Sequence, residues 1–188
     1  IILNSGVSSL NDGGHVDING GNGSNNGGNI ALKSGTGIKS GDLSIMSSNS
    51  VSSGNIIIES GTSDTGSSGS VNIKTGITTT GSSGDISLSV GTNEGANIGS
   101  NLLLSSGNAV SNTGGIVSIK GGNSGSLNIG GNIELESGTG LTSGNVVLNT
   151  ASSSSSGELL LKTGISTSGS TGSISINTGN AVDGKTGD

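Results

Sequence analysis

The chain has 188 residues, among them 39 glycines and 40 serines, and it lacks proline, cysteine and every aromatic residue. Six lysines against twelve acidic residues leave a net charge of −6, which excludes a basic stripe for neutralising nucleic-acid phosphates. The missing cysteines exclude disulfide stapling and thiolate metal sites, and no apolar run approaches the roughly 20 residues of a membrane span.

Glycine and serine at this level ordinarily mark a linker or disorder. The aliphatic pattern argues otherwise. Ile, Leu and Val recur two residues apart, usually with a polar residue between them, and a period of two is that of a strand. Alignment on x-Φ-x-Φ-x-(S/T)-G, with Φ an aliphatic residue, divides the chain into thirteen repeats. In chain order they begin at Ile1 (its first position missing), His15, Asn29, Asp42, Asn55, Ser70, Asp85, Asn101, Ile116, Asn132, Asn145, Glu158 and Ser173. Glycine fills the seventh position in eleven of the thirteen, with Ser48 and Ala151 as exceptions, and closes every repeat except the one ending at Ser100.

A longer period lies above this one. The segment 29–84 matches 132–187 without a gap at 24 of 56 positions, an offset of 103 residues, and in both the repeat lengths run 13, 13, 15, 15. The first two repeats also resemble the two that begin at Asn101 and Ile116. The expected organisation is therefore the last two repeats of one module over 1–28, a complete seven-repeat module over 29–131, and the first four repeats of the next over 132–188. A chain that opens on Ile1 and stops at Asp188 in mid-pattern reads as a segment of something longer.

These periods predict an all-β fold, a single-stranded parallel β-solenoid (β-helix) with one rung per repeat. Ile30 and Leu32, Ile86 and Leu88, and Ile174 and Ile176 would face inward together. Ile38, Val51, Ile77, Leu141 and Ile165 would supply the opposite wall. The seventh-position glycine would permit φ > 0 at a corner. Seven rungs at the inter-strand spacing would advance by roughly 33 Å. Polar first positions (Asn29, Asp42, Asn55, Ser70, Asp85, Asn132, Asn145) would form side-chain ladders, and Glu59 with Lys74, and Glu136 with Lys120, would pair across neighbouring rungs.

The spacers TGSSGSVNIKTG (65–76) and TTGSSGDISLSVG (79–91) resemble Gly/Ser-rich repeats of large secreted proteins of diatoms and related algae, and more loosely the haemagglutinin-type repeats of bacterial filamentous adhesins. The resemblance implies an extracellular or cell-surface repeat protein and carries over no catalytic residue.

Each candidate for chemistry falls short in the sequence. His15 shares a strand face with Asp17, but no second histidine or cysteine completes a triad or a metal site. Glu134 and Glu136 would sit about 7 Å apart on an outward face, which is a surface rather than a glycosidase cleft. GGNGSNNGG (20–28) is similar to the calcium nonapeptide of toxin β-rolls, yet Asn25 stands where the ligand aspartate belongs. GKTG (184–187) lacks the leading glycine spacing of a phosphate loop. The threonine run Thr78–Thr80 does not extend into an ice-binding array. Asn22-Gly23-Ser24 is a glycosylation sequon, and the Ser/Thr-rich turns offer further glycan acceptors.

Five aliphatic residues break the polar rule at the third position: Ile2, Ile57, Leu103, Val147 and Leu160. Apolar side chains repeated on an outer face are expected to form a lateral interface. The sequence therefore predicts a non-catalytic structural filament or surface stalk without cofactor or metal. It would associate with itself head to tail or laterally, and its alternative is an adhesin or carbohydrate-binding surface.

Overall fold

The computed structural model describes residues 1–95, 98–125 and 128–187. The chain divides into two parts, Ile1–Leu88 and Ser89–Asp188, and each is built from the same local plan. Over its first seven positions every repeat runs without a bend. Side chains two apart meet on one side of this segment, as when the Asn72 amide donates to Ser70 Oγ at 3.1 Å. That is the geometry of extended backbone, and where the alternating residues are Ile or Val their β-branching favours it by restricting χ1 and the adjoining backbone.

A loop completes each repeat. In the 13-residue repeats it bends at about the ninth to eleventh positions, as at 37–39 and 140–142. In the six 15-residue repeats it bends at the tenth to twelfth, as at 64–66, 79–81 and 167–169. In eleven of the thirteen repeats the loop returns so that its last glycine comes near the residues where it departed; Gly84 meets no such neighbour, and the repeat 85–100 ends on serine. In this respect these loops are small Ωs, with their ends together at a neck.

This arrangement corrects the expected β-solenoid. Among the described residues there is no strand, no sheet and no helix, and no hydrogen bond joins one repeat to the next. No described side chain is buried. The intended opposite wall is absent, since Leu141 and Ile38 are fully exposed at 108% and 110%. Glycine does not turn corners through the left-handed region either, because no described residue has φ > 0.

The physical reason lies in the small apolar content of each repeat. Fully burying one aliphatic side chain contributes about 1.5–3 kcal/mol, whereas fixing one residue's backbone costs about 1–2 kcal/mol. Two or three aliphatics cannot order a coil of 13 to 16 residues, and no aromatic side chain adds to them. Local extension is cheap and persists; stacking one repeat on the next within the chain is not reached.

Candidate functional site

The recurrent built feature is the loop neck. The amide of the last glycine donates to the carbonyl of the seventh-position glycine from Gly14 to Gly6 (2.9 Å), Gly28 to Gly21 (2.8 Å) and Gly41 to Gly35 (3.1 Å). The same bond runs from Gly115 to Gly107, Gly131 to Gly122 and Gly144 to Gly138, each at 2.9 Å. These are the first three repeats and, seven repeats later, the eighth, ninth and tenth. In the eighth, Ser106 Oγ also donates to the Gly115 carbonyl at 2.9 Å.

The neck is where the chain is least exposed. Of the eight half-buried residues among those described, seven occupy the sixth position: Gly20, Ser47, Ser60, Thr75, Gly121, Ser137 and Thr163. The least exposed large aliphatic among the described residues, Val90 at 43%, stands there too. A Cβ placed on the returning glycine shows why, since on Gly69 it would lie 3.5 Å from Ser60 Cβ, and on Gly144 3.5 Å from Ser137 Cβ. Where the sixth residue is itself glycine the approach is closer still: a Cβ on Gly20 would run into the Gly28 carbonyl, and one on Gly121 into the Gly131 carbonyl. Sequence reasoning used this position only as an alignment mark, although the constancy of Ser or Thr before glycine signalled it.

A second device organises the loops of the 15-residue repeats. The hydroxyl at the ninth position accepts from the amide three residues on: Ser8 from Asn11 (2.9 Å), Ser63 from Gly66 (3.1 Å), Thr78 from Gly81 (3.1 Å) and Ser166 from Gly169 (2.9 Å). In the two remaining 15-residue repeats the ninth residue is Ala109 or Ala181; the bend is present there without the bond. Ser and Thr favour such turns because their short hydroxyls reach nearby backbone amides.

The expected lateral residues Ile2, Ile57, Leu103, Val147 and Leu160 are all exposed, from 84% at Ile2 and Leu103 to 59% at Leu160. Their neighbours at the second and fourth positions are also exposed, so each stands in an uncovered run of three aliphatics. His15 Nε2 lies 3.4 Å from Asp17 Oδ2, both side chains in solvent. It is the one close contact between a basic and an acidic side chain among the described residues; Glu59 with Lys74 and Glu136 with Lys120 do not pair, because the repeats that carry them are not stacked. Nor do the polar first positions bond one another across repeats. Among the described residues no pocket and no group of three metal-ligating side chains occurs.

The chain matches no family model, no curated protein and no solved structure. No helix among the described residues is long and apolar enough to cross a membrane. What the neck offers chemically is closure alone: backbone amides already spent on carbonyls, flanked by small hydroxyls. The aliphatic runs beside it offer apolar surface without a cover.

Proposed function

We propose that the chain is a non-catalytic structural repeat of an extracellular or cell-surface filament or stalk, and that copies of it associate through their aliphatic runs. The observation that carries this reading is the run Ile56–Ile58 and its equivalent Leu159–Leu161, three consecutive exposed aliphatics at matching places in both modules. Exposed apolar patches that recur with a repeat are contact surfaces, and extended segments with unpaired backbone groups invite pairing with another chain. The extracellular placement rests on the resemblance of the Gly/Ser spacers to secreted algal repeats.

Sedimentation and electron microscopy over a concentration series test it. Assembly into fibres above a threshold concentration is the expected result, and Ile57→Asp with Leu160→Asp should raise that threshold roughly tenfold or more, because an unpaired carboxylate opposes burial of its face. A chain that stays monomeric at all concentrations and binds glycans would replace this reading with the carbohydrate-binding one. Glycan binding has no cleft or aromatic platform to support it among the described residues.

A further inference from the structure

The second repeat carries a feature that assembly does not use. The chain contains three Asn-Gly dipeptides, Asn19-Gly20, Asn22-Gly23 and Asn26-Gly27, and all three lie in this one repeat. We propose that the loop 21–28 is a site of spontaneous covalent self-modification, in which Asn22 and Asn26 convert to aspartyl and isoaspartyl residues through a cyclic imide.

The chemistry needs only water. The backbone nitrogen of the following glycine attacks the asparagine Cγ, the new N–Cγ bond forms, and the Cγ–Nδ2 bond breaks. Nδ2 leaves as ammonia with the proton from the attacking nitrogen. Water then adds to one of the two ring carbonyls and opens the ring there. Opening at Cγ restores the ordinary backbone as aspartate; opening at the main-chain carbonyl leaves the chain running through Cγ as isoaspartate. Nothing is oxidised or reduced.

Local geometry favours two of the three sites. The side chains of Asn22 and Asn26 are exposed and hold no hydrogen bond to a described residue, so nothing restrains their rotation towards the backbone. The one backbone amide engaged within the loop is that of Gly28, which closes the neck on Gly21; those of Gly23 and Gly27 are unengaged. Between them the chain bends at Ser24 and Asn25. A Cβ on Gly23 would collide with the Asn26 carbonyl, so this turn admits glycine alone, and glycine, with no side chain, leaves its backbone nitrogen least hindered as the attacking group.

Asn19 differs. Gly20 is the half-buried crossing point beneath the Gly28 carbonyl, and rotation of its peptide is opposed by the neck. Asn22 and Asn26 should therefore react before Asn19. The molecule also contains its own control. In the equivalent repeat over 116–131 the asparagines precede serine and isoleucine, Asn123-Ser124 and Asn128-Ile129, whose side chains obstruct the attack.

The consequences follow from charge and chain length. Each event adds one negative charge to a chain of net −6. Conversion of Asn22 removes the acceptor amide of the Asn22-Gly23-Ser24 sequon, and isoaspartate adds a backbone carbon inside a loop closed by the Gly28–Gly21 bond.

Cleavage after lysine separates the two loops, since 1–33 and 121–162 fall in different fragments. The unglycosylated full chain is incubated at mildly alkaline pH, where the attacking nitrogen deprotonates more readily, and each fragment is followed by mass and by isoaspartate content. Acidification at Asn22 and Asn26 should exceed that at any asparagine of 121–162 by about tenfold or more, and Gly23→Ala and Gly27→Ala should each slow the preceding asparagine by roughly tenfold. Because Gly23→Ala also disturbs the turn, Asn22→Gln serves as a second variant: it should abolish acidification at position 22 and leave Asn26 reacting. Equal rates in the two fragments would overturn the proposal, as would rates at Asn22 and Asn26 that alanine substitution leaves unchanged. Conversion of Asn19 as fast as Asn22 would remove the role assigned to the neck.

Discussion

Glycine meets two different demands within one repeat, and adjacent residues separate them. A Cβ on Gly121 would strike the Gly131 carbonyl, whereas a Cβ on Gly122 would meet no atom within 4 Å. Neither residue has φ > 0, so the difference is one of space and not of backbone conformation. Gly121→Ala should open the neck at a cost above about 1 kcal/mol, because the native approach cannot accept the side chain. Gly122→Ala should keep it and stabilise by about 0.4–1 kcal/mol through a stiffer unfolded chain. Amide exchange of Gly131, whose N–H donates to Gly122, reads both outcomes. Equal protection of that amide in the two variants would show that the close approach at Gly121 does not hold the loop. Fully exposed residues obey a different arithmetic: His15 and Asp17 lie at 3.4 Å, but a solvated pair contributes little to stability.

At the scale of the element, the loop of a 15-residue repeat bends whether or not the ninth residue of the repeat carries a hydroxyl, so the hydroxyl reinforces a turn that length and glycine already favour. Thr78→Val should lose the bond to the Gly81 amide, and Ala181→Ser should create the corresponding bond to Gly184. Each change is expected near the low end of the about 0.5–1.5 kcal/mol of a net hydrogen bond, since solvent competes at every one of these sites. The solvent-exchange rates of the Gly81 and Gly184 amides should move in opposite directions; if the Gly184 amide is unaffected, the bond depends on more than the hydroxyl. These loops also mark how far the sequence could be read. The bend-free seven-residue segments coincide with the aliphatic period, and the bends fall in the glycine-rich stretches between them. The solenoid was not a safe step from them, because a period of two fixes which side chains share a side and says nothing of what covers that side. Ile38 and Leu141 look like wall residues in the sequence and stand in solvent. The lateral residues Ile57 and Leu160 were picked out by their third-position setting and are exposed, but so are their neighbours at the second and fourth positions. The neck was missed because Ser60 and Thr163 are small and polar, and pattern reading seeks burial among large aliphatics.

For the whole molecule the deciding quantity is area. The chain exposes 19062 Å², whereas a folded chain of 17.8 kDa would expose about 8,000 Å². The excess is several times the roughly 1,600 Å² of a standard protein interface, so association has ample surface to draw on. Charge opposes it. Copies of net charge −6 repel, and salt screens that repulsion beyond about 10 Å at 0.1 M. Light scattering should therefore show the association threshold fall as salt is added, and fall again as pH approaches the pI of about 4.5. A threshold that rises with salt would mean that ion pairs, not aliphatic runs, join the copies. Glycine supplies the sharper test. Each of the eleven seventh-position glycines would direct a Cβ into open space, so nothing within one chain explains why the residue recurs there. An approaching second backbone does explain it, since only glycine leaves room for close contact. Gly61→Ala with Gly164→Ala, at equivalent places in the two modules, should leave the loop turns at Ser63 and Ser166 intact, as read by the exchange of the Gly66 and Gly169 amides. The same double variant should raise the association threshold roughly tenfold, equivalent to about 1.4 kcal/mol. If the threshold stays where it was, the copies meet elsewhere, and the seventh glycine serves only the freedom of the unassembled chain.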